Sequence, residues 1–188
     1  ERIDEHLQYL SKTIDDFRNF YKTDKSKSLE DVGELVVDAL NLSDVFLKYA
    51  KIKTELNVTT NRKVHIAKNE MIQVLLNLFK NAHDAIVEQK IAHGKIMMTV
   101  EDYDEDYLRV KVEDNAGGIS DSVMEWIFDI YFTTKDPEHG TGLGLHMSKY
   151  IIEESFGGKI WVENTLLGAC FVIILPYEHE ETLATESV

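Results

Sequence analysis

The sequence predicts an α+β protein: a two-layer sandwich in which a mixed, mainly antiparallel sheet carries helices on one face, with an amphipathic helix ahead of it. Apolar residues recur every three or four positions in several stretches, strict alternation marks other segments, and turn-forming residues fall between them. Over 1–21 the stripe Ile3, Leu7, Leu10, Ile14, Phe17, Phe20 has a coiled-coil-like seam, and a helix of that length needs a partner to cover it in water. Residues 22–28, polar throughout, read as a linker. A second helical pattern covers 29–49 through Val32, Leu35, Val36, Leu40 and Leu47, followed by strand-like pieces at 53–58 and 63–66 around turn material.

The helix expected over 69–89 is apolar along Ile72, Leu75, Leu76, Phe79 and Ile86. Residues 95–101 and 107–113 alternate and are joined by an acidic turn, which reads as an antiparallel hairpin. The long irregular stretch 115–140 has the length of a functional lid or a disordered loop. A glycine-rich turn then opens into a helix, two strands follow at 159–163 and 169–175, and the polar tail 178–188 is expected to fray. The expected organisation is a leading helix at 1–21, a linker at 22–28, one domain at 29–177 and the tail.

With 188 residues, 44% hydrophobic and 29% charged, the chain has the make-up of a soluble globular protein with one substantial core. Its net charge of −14, from 34 acidic and 20 basic residues, argues against a nucleic-acid partner. A polyanionic ligand would need a metal ion, a few lysines or backbone amides. No apolar run is long enough to span a bilayer, and no signal peptide opens the chain. The lone Cys170 excludes an internal disulfide and a multi-cysteine metal site, and reads as a packed core thiol. The chain begins at Glu1, within a helical pattern and without methionine, so it reads as a piece of a longer polypeptide.

Four segments carry chemistry. In QVLLNLFKNAHDA (73–85), Asn77, Asn81 and Asp84 are spaced four and three apart and share one polar helix face. Amide oxygens there suit a hard cation such as Mg²⁺ beside nucleotide phosphates, while a merely solvated face is the bland alternative. Lys80, next to it, can reach a phosphate or simply face water. In VEDNAGGI (112–119), Asp114 ends a strand before a flexible turn. It can accept a hydrogen bond from an exocyclic amine such as that of adenine, while Gly117 and Gly118 let the ring lie close to backbone and Ile119 follows them as a further nucleotide-binding candidate, or it can be an ordinary Asp-Asn turn. In WIFDIYFTTK (126–135), Phe128, Tyr131 and Phe132 would anchor a lid and leave Thr133, Thr134 and Lys135 facing phosphates. The run EHGTGLGLHMSK (138–149) offers the amides of Gly140, Thr141, Gly142, Leu143, Gly144 and Leu145 at the start of a helix, as a phosphate cradle or as a plain turn.

Taken in order, QVLLNLFKNAHDA, DNAGGI, IFDIYFTTK, GTGLGLHMSK and GACFVIILP resemble the N, G1, F, G2 and G3 boxes of sensor histidine kinases, within the Bergerat-type ATPase superfamily. The resemblance covers 29–176, and 1–21 resembles the second helix of the dimerisation and phosphotransfer hairpin. It implies a Bergerat fold that binds ATP with Mg²⁺. Asn81 matches the metal ligand, Asp114 the aspartate on the adenine amino group, and Gly140, Gly142 and Gly144 the glycines that meet the phosphates. Asn77 stands where hydrolytic relatives such as gyrase carry a water-activating glutamate, and an amide cannot serve as that base. The catalytic candidates are therefore Asn77, Asn81 and Lys135.

Three positions depart from the family pattern. Ala116 replaces a glycine and would stiffen the turn, Ile130 replaces a proline and would leave the lid less restrained, and Ala169 replaces a Thr or Ser near the base. The phosphoacceptor histidine sits on the first hairpin helix of such kinases. His6 falls in the second-helix pattern, and His65, His83, His93, His139, His146 and His179 lie outside that context. The resemblance implies homodimerisation through the hairpin helix and a response regulator receiver domain as partner. It also implies a cytoplasmic segment of a bacterial-type sensor kinase, membrane-associated or cytoplasmic. A hydrolytic or serine-phosphorylating relative, and a non-catalytic nucleotide-sensing module, are the alternatives.

Overall fold

The computed structural model describes residues 26–135 and 140–177. The expected leading helix at 1–21, most of the linker, the tail, and His6, His139 and His179 lie outside the described residues. Within them the chain forms β1 (Ser28–Glu30), α1 (Val32–Tyr49), β2 (Lys53–Val58), β3 (Val64–Ile66), α2 (Lys68–Glu88), β4 (Lys95–Asp102) and β5 (Tyr107–Asp114). A short α3 (Asp121–Met124) and α4 (Gly144–Tyr150) follow, then a π-helical turn (Ile151–Ser155), β6 (Lys159–Asn164) and β7 (Ala169–Pro176).

The main sheet has the order β2-β4-β5-β7-β6, antiparallel except for the β2–β4 pair, and β1 and β3 form a separate two-stranded antiparallel sheet. This is the expected α+β sandwich. Alternation decides which face is buried. Ile96, Met98 and Val100 of β4 and Leu108, Val110 and Val112 of β5 point into the core, where Met71, Val74, Leu75, Leu78 and Phe79 of α2 meet them. On β5 the intervening residues carry charge, and Arg109 grips Glu101 of β4 with Nε at 3.0 Å and Nη2 at 2.7 Å. Helix α1 lies beside α2 and buries Val32, Leu35, Val36, Ala39 and Leu47.

One local reading changes. The helical period suggested a helix from residue 29, but Leu29 is 57% exposed and belongs to β1, paired with His65. The helix starts at Val32 because Asp31 caps it, accepting the Glu34 N–H at 3.2 Å. The glycine-rich helix is only seven residues long before it widens into the π-helical turn, where the Phe156 N–H reaches back to the Ile151 carbonyl at 3.0 Å. Strands β5 and β7 lie side by side, so the end of β5 meets the β6–β7 turn; α2 runs beneath with its polar face toward α4.

Candidate functional site

A cavity of about 830 Å³ opens between α2, the ends of β5 and β7, α4 and the loop 115–135. Of the residues singled out above, it is lined by Asn77, Lys80, Asn81 and Asp84 from α2; Asp114, Gly118 and Ile119 from the end of β5; Phe132, Thr133, Thr134 and Lys135 from the loop; and Gly140 to Leu145 leading into α4, whereas Gly117, Phe128 and Tyr131 lie outside its lining. Its size lies within the range of small-molecule sites. The apolar part of the wall includes Ile119, Val123, Ile127, Met147, Ile151 and Phe171, and the charged part comes from Lys80, Asp84, Glu88, Asp114 and Lys135.

At the β5 end, Asp114 is 4% exposed. Its Oδ1 accepts the Ala116 N–H at 2.8 Å and the Ala169 N–H at 3.3 Å. Burial raises its pKa above the ordinary carboxylate value, and the two backbone amides work against that rise. Ala169 brings no hydroxyl to this wall, but its amide serves Asp114 directly. The position next to Ala116 takes the strain of the turn, since the positive φ values fall on Gly117 and Gly118, and alanine is accommodated.

The loop after Asp114 is fastened to the β6–β7 hairpin. The Asn164 carboxamide acts as a piece of backbone, accepting the Ile119 N–H at 2.8 Å and donating to the Ile119 carbonyl at 2.7 Å. The Gly117 N–H donates to the Leu167 carbonyl at 3.1 Å. A Cβ at Gly168 would overlap the Asp114 carbonyl and its Oδ1, so only glycine lets the two segments approach this closely.

Along α2 the three polar residues take different partners. Asn77 donates to Ser148 Oγ at 2.9 Å, and Ser148 donates to the Gly144 carbonyl at 3.0 Å. A Cβ on Gly144 would overlap the Asn77 amide. Asn77 thus fastens α2 to the first turn of α4. Asn81 lines the cavity one turn further on. Asp84 collects charge: Lys80 Nζ lies 2.6 Å from Oδ1, His83 Nδ1 2.9 Å from the same oxygen, and Lys135 Nζ 2.7 Å from Oδ2. Burial works to raise its pKa, but bonds from Lys135, Lys80 and His83 prevail and bring it down to about 2. His83 is also held edge-on against Phe46 of α1, with ring centroids 5.2 Å apart.

The loop is seated by Phe128, which packs edge-on against Phe171 of β7 at 6.3 Å, and by buried Ile127. The expectation that the Tyr131 ring also anchors it is corrected, because that ring is 54% exposed. Its backbone does the fastening instead: Tyr131 sits at φ 65°, its N–H donates to the Gly142 carbonyl at 3.0 Å, and Gly142, at φ 66°, presses on the Tyr131 backbone with no room for a Cβ. Thr133 Oγ1 accepts the Lys135 N–H at 3.1 Å, a turn that helps direct the lysine toward α2. Ile130, in place of a proline, is exposed within a run of turns in which the Asp129 N–H meets the Trp126 carbonyl at 2.8 Å.

Ser148, Asn164 and Gly168 were not singled out from the sequence. Gly168 opens the GACFVIILP string, yet what makes it indispensable is its contact with a residue on a different strand. Asn164 carries no local mark of its task. Among the described residues no cluster of three or more His, Cys, Asp or Glu is arranged to hold a metal ion, so a cation here would depend on few protein ligands. The thiol of Cys170 is buried and pushed up to about 11, chiefly by burial, which keeps it out of chemistry. Among the described residues no helix is long and apolar enough to cross a membrane.

Comparison with known proteins places this geometry. Residues 66–179 match the family described as histidine kinase-, DNA gyrase B-, and HSP90-like ATPase. The sensor protein FixL of Bradyrhizobium diazoefficiens is 30% identical over 96% of the chain, which corresponds to 35% of FixL. The solved catalytic domain of histidine kinase ThkA is 32% identical, with a TM-score of 0.70 over 80% of this chain and 97% of that domain. A crystal structure of ThkA in complex with response regulator protein TrrA aligns with a TM-score of 0.75 at 28% identity, over 94% of this chain and 49% of ThkA. The chain spans about a third or less of the length of the first curated relatives it matches.

Proposed function

We propose, given that this chain belongs to the histidine kinase-, DNA gyrase B- and HSP90-like ATPase family as a sensor histidine kinase catalytic domain, that its cavity binds Mg²⁺-ATP for phosphoryl transfer to a histidine side chain. The observation that carries this reading is the convergence on one cavity of a buried carboxylate at one end and lysines, an asparagine and glycine amides at the other. Those ends have the chemistry of a base and of a triphosphate.

The donor set fits the ligand. Both backbone bonds to Asp114 fall on Oδ1, so the carboxylate retains acceptor capacity for an exocyclic amine, between the apolar walls of Ile119 and Phe171. Asn81 offers an amide oxygen, which suits a hard cation that keeps most of its waters. The bound nucleotide supplies the γ-phosphoryl group, and the metal ion neutralises charge that builds on it. The chain's own residues position and shield. Asp114 fixes the base, the amides of Gly140 to Leu145 and the lysines Lys80 and Lys135 surround the phosphates, Thr133 and Thr134 line the same end, and Phe132 covers it. Asn77, occupied with Ser148, holds α4 in place and provides no general base for water, which supports transfer over hydrolysis.

The acceptor would lie on a dimerisation hairpin, with homodimerisation through that hairpin and relay to a response regulator receiver domain, as the complex of the relative ThkA with its regulator suggests. Incubating the chain with Mg²⁺-ATP and a separately made hairpin bearing the acceptor histidine tests the transfer. Acid-labile phosphate should accumulate on the hairpin; its absence while ATP is bound, or steady release of free phosphate instead, would overturn the reading.

A further inference from the structure

The charged end of the cavity is organised around one carboxylate. Asp84 receives Lys80 from one helical turn earlier and Lys135 from a position 51 residues away in sequence, at 2.6 and 2.7 Å. Lys80 stands on the same helix as Asp84, four residues before it, so that pair costs little to keep. Lys135 reaches across the cavity from the loop, and its side chain is 26% exposed against 18% for Asp84. A carboxylate that accepts from two ammonium groups offers them what a phosphate oxygen would offer. The pair is only partly buried and lies on the cavity wall, so a polyphosphate entering the cavity can compete with the carboxylate for the ammonium group.

Resting on the reading of this cavity as an ATP site, we propose that Asp84 is a positioning residue that competes with the nucleotide for Lys135. The added charge of a third phosphate draws Lys135 away from α2, and a diphosphate leaves it paired. Asp84 thereby makes the pocket respond to nucleotide length. Removing its charge frees the lysine in advance, so triphosphate binding tightens. A residue that instead held the metal or merely supported α2 would act in the opposite direction, or alike on both nucleotides.

Calorimetric titration of Mg²⁺-ATP and Mg²⁺-ADP into the parent chain, Asp84→Asn, Lys135→Gln and the double variant separates these roles. Asp84→Asn should raise ATP affinity about three- to tenfold and move ADP less than about twofold. Lys135→Gln should bring ATP affinity down toward that of ADP, and in its background Asp84→Asn should have almost no effect. Weaker ATP binding in Asp84→Asn, equal changes for the two nucleotides, or a gain that persists without Lys135 would overturn the proposal. If Asp84→Asn does not fold, Lys135→Gln alone decides it, since an unchanged ratio of ATP to ADP affinity there would be contradictory. A parent chain that binds neither nucleotide would sink the ATP site itself, a distinct result.

Discussion

At the Asp114 end of the cavity the wall is made with backbone: Asp114 takes the amides of Ala116 and Ala169, Asn164 pairs with both polar groups of Ile119, and Gly117 donates to Leu167. At the Asp84 end it is made with side chains: Lys80, His83 and Lys135 converge on a single carboxylate. Backbone contacts are set by the strand order β5-β7-β6 and do not exchange with a ligand. Ion pairs between long side chains do. On the proposed reading of the cavity, the difference teaches a division of labour: the base site would be complete before nucleotide arrives, and the phosphate site would have its charges rearranged by it.

Substituting Gly168 should damage the fixed end most. A Cβ there meets Asp114 backbone, which cannot step aside as a side chain could. Gly168→Ala is expected to lower ATP affinity by about 2 kcal/mol, near thirtyfold, with a lower melting temperature. Calorimetry showing an unchanged affinity would mean that the hairpin does not set the base end.

The two carboxylates should also part company in acid. Asp84 has its pKa lowered from 3.8 to about 2, so it contributes stability above pH 3.8 that is lost as pH falls toward 2. Asp114 is shifted upward by burial, so its ionisation costs stability as pH rises through its folded value. Urea denaturation from about pH 5 down to pH 2 should show the parent losing up to about 2 kcal/mol that Asp84→Asn does not lose. Parallel curves would mean that the charge cluster contributes nothing to the fold.

The smallest of these effects concerns Asn164. Replacing it with alanine removes two hydrogen bonds from an exposed site, and ATP affinity should fall by about 1 kcal/mol with little change in melting temperature. A variant that instead loses affinity for triphosphate alone would place Asn164 at the wrong end.

What could be read from the sequence follows the same division. The Asn77, Asn81 and Asp84 face was legible because helical spacing puts those residues together without any help from the rest of the fold. Asp114 was legible because a charge breaks a buried alternation at a strand end. Asn164 and Gly168 were not, since each acts on a residue some fifty positions earlier, through a strand pairing that composition does not encode. The same holds for β1: Leu29 fits a helical period, and only its pairing with β3 makes it a strand. Lys135 was expected to face phosphates, and its pairing with Asp84 emerges only when the loop is laid against α2.

The central claim is that Asp114 and the walls around it recognise the base of ATP. Calorimetric titration of Mg²⁺-ATP into the parent chain and an Asp114→Asn variant tests it most directly, because the substitution keeps the size of the side chain and replaces an acceptor with a donor where the exocyclic amine would bind. The parent should bind, and the variant should lose about 2–3 kcal/mol, thirty- to a hundredfold or more. Equal affinity in the two proteins would contradict the account.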